Sequence, residues 1–174
     1  IWLIIARITS ELLRAGRGDP AGIDQFFKLD AEMAAGRNGV FLPTFRIEAG
    51  KRALALGLHG QARDLAAMAL EIIETTGERY SLSDLERLNA ALANVDGNGE
   101  AAEQHLQTAL DVARQQGAKL YELRAAIDLA RLWREQGKTA EAKSLLQPVH
   151  DSIAEGDRPE DRATAGALLA ELER

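Results

Sequence analysis

Glycine recurs along this chain at a fixed step. Gly57, Gly97 and Gly137 are 40 residues apart, and Gly77 and Gly117 mark the same step from the middle of each unit, with Gly156 one residue from the next expected place. Alanine keeps the register at Ala62, Ala102 and Ala142, and further apolar positions follow it at Ala66, Leu106 and Leu146 and at Ala69, Ala109 and Val149. A period of this size belongs to chains that stack copies of one supersecondary unit, each too small to bury its apolar face alone. Each unit then holds two helices, both ended by a glycine, which enters the left-handed cap conformation without steric penalty. The recurring alanine falls at the start of the second helix. A small side chain there lets two antiparallel helices approach, and Leu106 and Leu146 fill the space beside it. In an initial unit Gly22 takes the small position and Phe26 the large one.

Composition agrees with helices throughout. Apolar residues make up 46% of the 174-residue chain, mostly Ala and Leu, with aromatics at 5%, a bias that favours helix over strand. The pattern predicts a helical tail over 1–15 and a second helix opened by Asp19 as cap with Pro20 in its first turn. Further helices are expected over 41–56, 60–76, 82–95, 99–116, 119–136, 139–155 and 159–173. Ser81 is expected to cap the helix at 82, with Asp84 three residues on, and Asp157 to begin the last helix with Pro159 and Glu160. The linkers are short, so sequential helices should pack antiparallel. Nothing marks a second domain. The reading is one domain over 1–174, with units about 1–38, 39–78, 79–118 and 119–157 and a cap over 158–174.

With 27 acidic against 21 basic residues, the net charge is −6. Such a surface is repelled by nucleic acid and anionic lipid, so neither is expected as a direct partner. No cysteine is present, which removes disulfides and thiolate metal sites and fits a reducing compartment; the expected location is cytoplasmic. No apolar run reaches the roughly 20 residues of a membrane span. The start at Ile1 and not Met reads as a piece of a larger protein whose first helix begins in mid-pattern. Ile1, Trp2, Leu3, Ile4 and Ile5 are too apolar for a free surface helix, and are expected to cover a neighbouring face or make a homodimer contact.

Several motifs imitate chemistry. Gly137-Lys138-Thr139 ends like a phosphate-binding loop, but that loop needs a glycine where Leu132 stands inside a helix. Asn94-Val95-Asp96-Gly97-Asn98-Gly99 resembles half a calcium loop, but its closing position holds His105 in place of a bidentate Glu. Arg17-Gly18-Asp19 spells an adhesion tripeptide and reads as a turn with a helix cap. His59, His105 and His150 lack the spacing of a helical metal pair, and the adjacent His150 and Asp151 are not expected to face each other on a helix. No nucleophile motif is present. The expectation is a chain that is not an enzyme and holds no metal or cofactor.

The stretch Gly117-Ala-Lys-Leu-Tyr-Glu-Leu-Arg-Ala-Ala126, then Leu129 to Gly137, Ala140-Glu-Ala142 and Leu145 to Val149, resembles the C-terminal tetratricopeptide region of bacterial multidomain regulators. Thr76-Gly-Glu-Arg-Tyr80 followed by Leu85-Glu-Arg-Leu88 is similar to the same group. Those regulators carry an ATPase module with a class III adenylate/guanylate cyclase domain or a DNA-binding transcription-activator domain. The likeness covers residues 40–174. The repeat is longer than the usual 34 or so residues, and Ala53 and Ala93 stand where a standard unit has an aromatic, which only Trp133 keeps. The resemblance implies an all-α solenoid of antiparallel helix pairs with a C-terminal capping helix, and a cytoplasmic signalling context.

In tetratricopeptide folds the first helix of each pair lines the concave surface. Arg124, Arg131 and Arg134, with Ile127 between them, fall on one face of the helix at 119–136, and Lys51, Arg87 and Asn94 from earlier first helices would join them. One reading is a basic groove that takes a protein or peptide partner or another domain of the same chain. The other is a solvated face with Arg124–Asp128 and Arg131–Glu135 pairs. The expected function is a non-catalytic interaction scaffold in a signalling regulator. The rival is a sensor that binds a peptide or small molecule in the groove and controls an upstream ATPase, cyclase or transcription-activator domain.

Overall fold

The computed structural model describes residues 2–35, 41–154 and 159–174, and among these the only regular structure is helix. The helices are α1 (Trp2–Gly16), α2 (Ala21–Ala35), α3 (Leu42–Ala55), α4 (His59–Thr76), α5 (Leu82–Val95), α6 (Gly99–Gln115), α7 (Lys119–Glu135), α8 (Thr139–Asp151) and α9 (Pro159–Leu172). The chain divides into two compact units, Ile1–Leu92 and Ala93–Arg174, with the boundary inside α5. None of the described helices is long and apolar enough to cross a membrane.

One turn recurs among the described residues, four times at the repeated glycines and once more at Gly18–Asp19. Leu58, Asn98, Ala118 and Lys138 each donate a backbone N–H to the carbonyl five residues earlier, on Ala53, Ala93, Ala113 and Trp133, at 2.8–2.9 Å. The glycine before each donates to the carbonyl three residues back, on Leu54, Asn94, Arg114 and Arg134. This is the Schellman cap, and it demands a left-handed residue at the glycine position. Gly57, Gly97, Gly117 and Gly137 supply φ of 75°, 75°, 64° and 79°. The residue after the glycine then accepts the first bond of the next helix, as Asn98 does from Ala102, so the chain reverses in two residues. Gly77 ends α4 differently, with a single bond from its N–H to Ile73, and a longer connection follows.

Within the first unit α1 packs on α2 and α3, α2 on α3, and α3 on α4. Ile8, Leu12, Ile23, Phe26, Met33, Ile47 and Leu65 form its core. Gly22 permits the close approach of α1 and α2: a Cβ there would lie 2.5 Å from the Glu11 carbonyl oxygen and 2.8 Å from the Ala15 nitrogen. Asp19 caps α2 as expected, accepting from the Ala21 N–H at 3.0 Å. Ser81 differs from expectation. It precedes α5, but its buried hydroxyl has no hydrogen-bond partner among the described residues, and the Asp84 carboxylate pairs with Lys51 and Arg87.

Within the second unit α7 packs on α6, α8 and α9, and α8 packs on α9. The small positions Ala102 and Ala142 are buried, as are Leu106, Leu146, Ala109 and Val149. Asn98, part of the calcium look-alike, accepts from the Ala101 N–H and caps α6. The helix expected over 139–155 stops at Asp151, where the Ser152 hydroxyl donates to the Val149 carbonyl at 2.7 Å and closes the last turn. The expected caps at Gly156 and Asp157, and Ile1, lie outside the described residues.

Candidate contact face

The arginine stripe of α7 lies in the second unit, and α9 lies along it. Arg124 donates from Nε and Nη2 to the two oxygens of Asp161, both at 3.0 Å, a planar fork on a carboxylate. Ten residues on, Arg134 pairs with Glu171, ten residues beyond Asp161. Both contacts ascend together, so α7 and α9 run in the same direction with a constant offset of 37 residues. Lys143 of α8 adds a third link, donating to Glu173 at 2.8 Å. The side of α9 against α7 and α8 buries Ala165, Leu168, Leu169 and Leu172.

Arg131, between the two gripped arginines, is treated differently. Its 37-residue offset falls on Leu168, which has no charge to offer. Arg131 is 48% exposed, and its one ion pair among the described residues is to Asp128 at 3.8 Å, not to Glu135 as expected. The helix places Asp128 one turn below it, and the backward-leaning side chain meets that turn first. Ile127 is only 3% exposed, so its side chain serves the packing of α7 and not its surface.

In the first unit the structure joins Lys51 and Arg87 through one carboxylate. Lys51 Nζ lies 3.0 Å from Asp84 Oδ2, and Arg87 donates to Asp84 Oδ1 at 2.7 Å. Lys51 also reaches Glu48 at 3.0 Å, and Glu48 accepts from Arg52 at 2.6 Å. Burial raises the Glu48 pKa, but the charges and hydrogen bonds of Lys51 and Arg52 outweigh it and hold the carboxyl below its ordinary range. Asn94 is exposed near the end of α5. Asp161 and Glu171 of the last helix and Asp84 thus occupy most of the cations that the pattern marked. The missed signal was the shared step of 37 from Arg124 to Asp161 and from Arg134 to Glu171, close to the repeat itself.

The remaining candidates resolve into local chemistry. Lys138 of the phosphate-loop look-alike donates to Glu103 at 2.9 Å, and Leu132 is buried inside α7. His150 Nδ1 does meet Asp151, at 3.1 Å, against expectation. Asp151 is the last residue of α8, where its side chain is no longer confined by a following turn. The hydrogen bonds of Gln147 and His150 keep the Asp151 carboxyl below its usual range. Trp2 and Leu3 are 77% and 76% exposed, whereas Ile4 and Ile5 are half-buried. An open groove lies beside Trp133, Ala140 and Leu145, and a more enclosed, polar one between Ser10, Leu13, Arg14, Arg17 and Asp19. Compared with known protein families and curated proteins, the chain matches no family model and no curated relative.

Proposed function

We propose that this chain is a non-catalytic contact module: an α-solenoid of antiparallel helix pairs on a 40-residue step that holds acidic helical segments against the cations of its first helices. The signalling-regulator setting comes from the resemblance of residues 40–174 to tetratricopeptide regions. The observation that carries the reading is the fork of Arg124 on Asp161, followed along the same face by the ion pair of Arg134 with Glu171. An acidic helix is already docked on that face, within the chain. The four repeated glycine turns and the buried alanines at Ala102 and Ala142 support the solenoid. The sensor reading calls for an enclosed pocket with convergent polar groups, and the groove beside Trp133, Ala140 and Leu145 is open and mostly apolar.

The test is selection of binders from a displayed library of helical peptides of mixed charge. The wild-type chain should enrich sequences with Asp or Glu on one face. Arg131→Glu with Arg134→Glu should lose that enrichment while keeping its helical circular dichroism. Enrichment of neutral or basic sequences, or the same acidic set from both proteins, would count against the reading.

A further inference from the structure

We propose that the α7–α8 face beneath α9 is a docking site for an acidic amphipathic helix of a partner protein, with α9 as a built-in occupant that the partner displaces. The proposal rests on the contact-module reading and adds the gate. Four observations carry it. First, the ion pairs on this face run largely one way: Asp161 and Glu171 of α9, and Glu173 just past its end, meet Arg124, Arg134 and Lys143 of α7 and α8, with Arg162 near Asp151 as a reverse contact. Second, these links are at least partly open to water, so each is weak and screened by salt. Third, α9 is intrinsically the weaker helix: it buries one alanine and three leucines and carries Gly166 in its interior, while Ala163, Ala167 and Ala170 lie exposed on its outer face. Helix α7, by contrast, buries Leu123, Ile127, Leu129 and Leu132 and keeps α6 and α8 as neighbours when α9 leaves. Fourth, α9 does not use the whole stripe. Leu168 falls opposite Arg131, so a partner helix with a carboxylate that reaches Arg131 makes one ion pair more than α9 does.

An occupied site binds more weakly in proportion to the fraction of molecules in which it is open. Loosening α9 without touching the receiving arginines should therefore tighten binding. The probe is a fluorescein-labelled peptide of residues 159–174, titrated by anisotropy against the full chain at low and at high salt. Asp161→Asn with Glu171→Gln should bind it about tenfold more tightly than wild type. Adding Arg124→Ala and Arg134→Ala to that variant should abolish the gain, and high salt should reduce it. Hydrogen exchange on the wild-type chain gives a reading that depends on no variant: amides of α9 should exchange at least about tenfold faster than those of α7. Equal peptide affinity for wild type and the Asn/Gln variant, with loss on removing the arginines, would overturn the gate and leave the contact module standing. No binding to either, with α9 exchanging as slowly as α7, would overturn both.

Discussion

Arg46 donates from Nε and Nη2 to the two oxygens of Asp30, each at 2.9 Å, and from Nη1 to the Met68 carbonyl at 2.7 Å. One guanidinium thereby ties α2, α3 and α4 together. The Asp30 and Arg46 side chains are only 3% and 8% exposed, so neither charge can fall back on water. A buried pair adds little over well-packed apolar residues, but breaking it leaves an uncompensated charge. Asp30→Ala should lower stability in urea unfolding by about 3–5 kcal/mol, and Asp30→Ala with Arg46→Met should recover most of that loss. If the double variant is as unstable as the single, the cost is lost packing and not the stranded guanidinium. Nothing in the sequence announces this pair. Its members are 16 residues apart on different helices and follow no period. The arginines of α7 were legible because helical spacing groups them. Their partners were not, because ion pairing across helices depends on register, which the spacing within α7 does not contain.

At the scale of the helix, the positions of the turns were the most legible part of the fold. The helices expected over 60–76 and 82–95 match α4 and α5 to within a residue, because glycine stops a helix for a steric reason visible in one residue. The helix expected to reach 155 stops at Asp151, where no glycine stands to mark the end in the sequence. The same logic separates glycines that look alike in sequence. Gly137 has φ 79°, whereas Gly60 sits inside α4 with open space around it. Gly137→Ala should lower the thermal midpoint, at a cost of about 1 kcal/mol for a side chain forced left-handed. Gly60→Ala should leave it unchanged or raise it, worth up to about 1 kcal/mol in helix propensity. Equal effects at the two positions would mean that the Schellman turns do not depend on their glycines.

Over the whole molecule, acidic residues outnumber basic ones, yet stability should fail on the acid side. Carboxylates in both units are held below their ordinary pKa by neighbouring cations. Burial raises Glu48 and Glu122, but Lys51 and Arg52 outweigh it at the first, and Lys119 and Arg114 at the second. Glu103 is lowered chiefly by the hydrogen bond of Lys138. A carboxyl depressed in the folded state binds fewer protons there than when unfolded, so its contribution is complete above the unfolded pKa and disappears as pH falls through the folded one. Urea midpoints should therefore change little between about pH 7 and pH 5 on account of these groups and decline below about pH 4.5. Glu48 and Glu103 are a third exposed, so water screens them and each contributes roughly 0.5 kcal/mol, with Glu122, the most buried, contributing the most. The variant with Glu48, Glu103 and Glu122 all changed to Gln should be less stable at neutral pH, yet lose less than wild type on acidification. The two proteins should converge only once the pH has fallen through the folded-state pKa values of all three wild-type carboxylates. Parallel curves, separated by the same amount at every pH, would mean that the glutamines destabilise by shape or packing and that the ion pairs of the two units carry no pH-dependent stability.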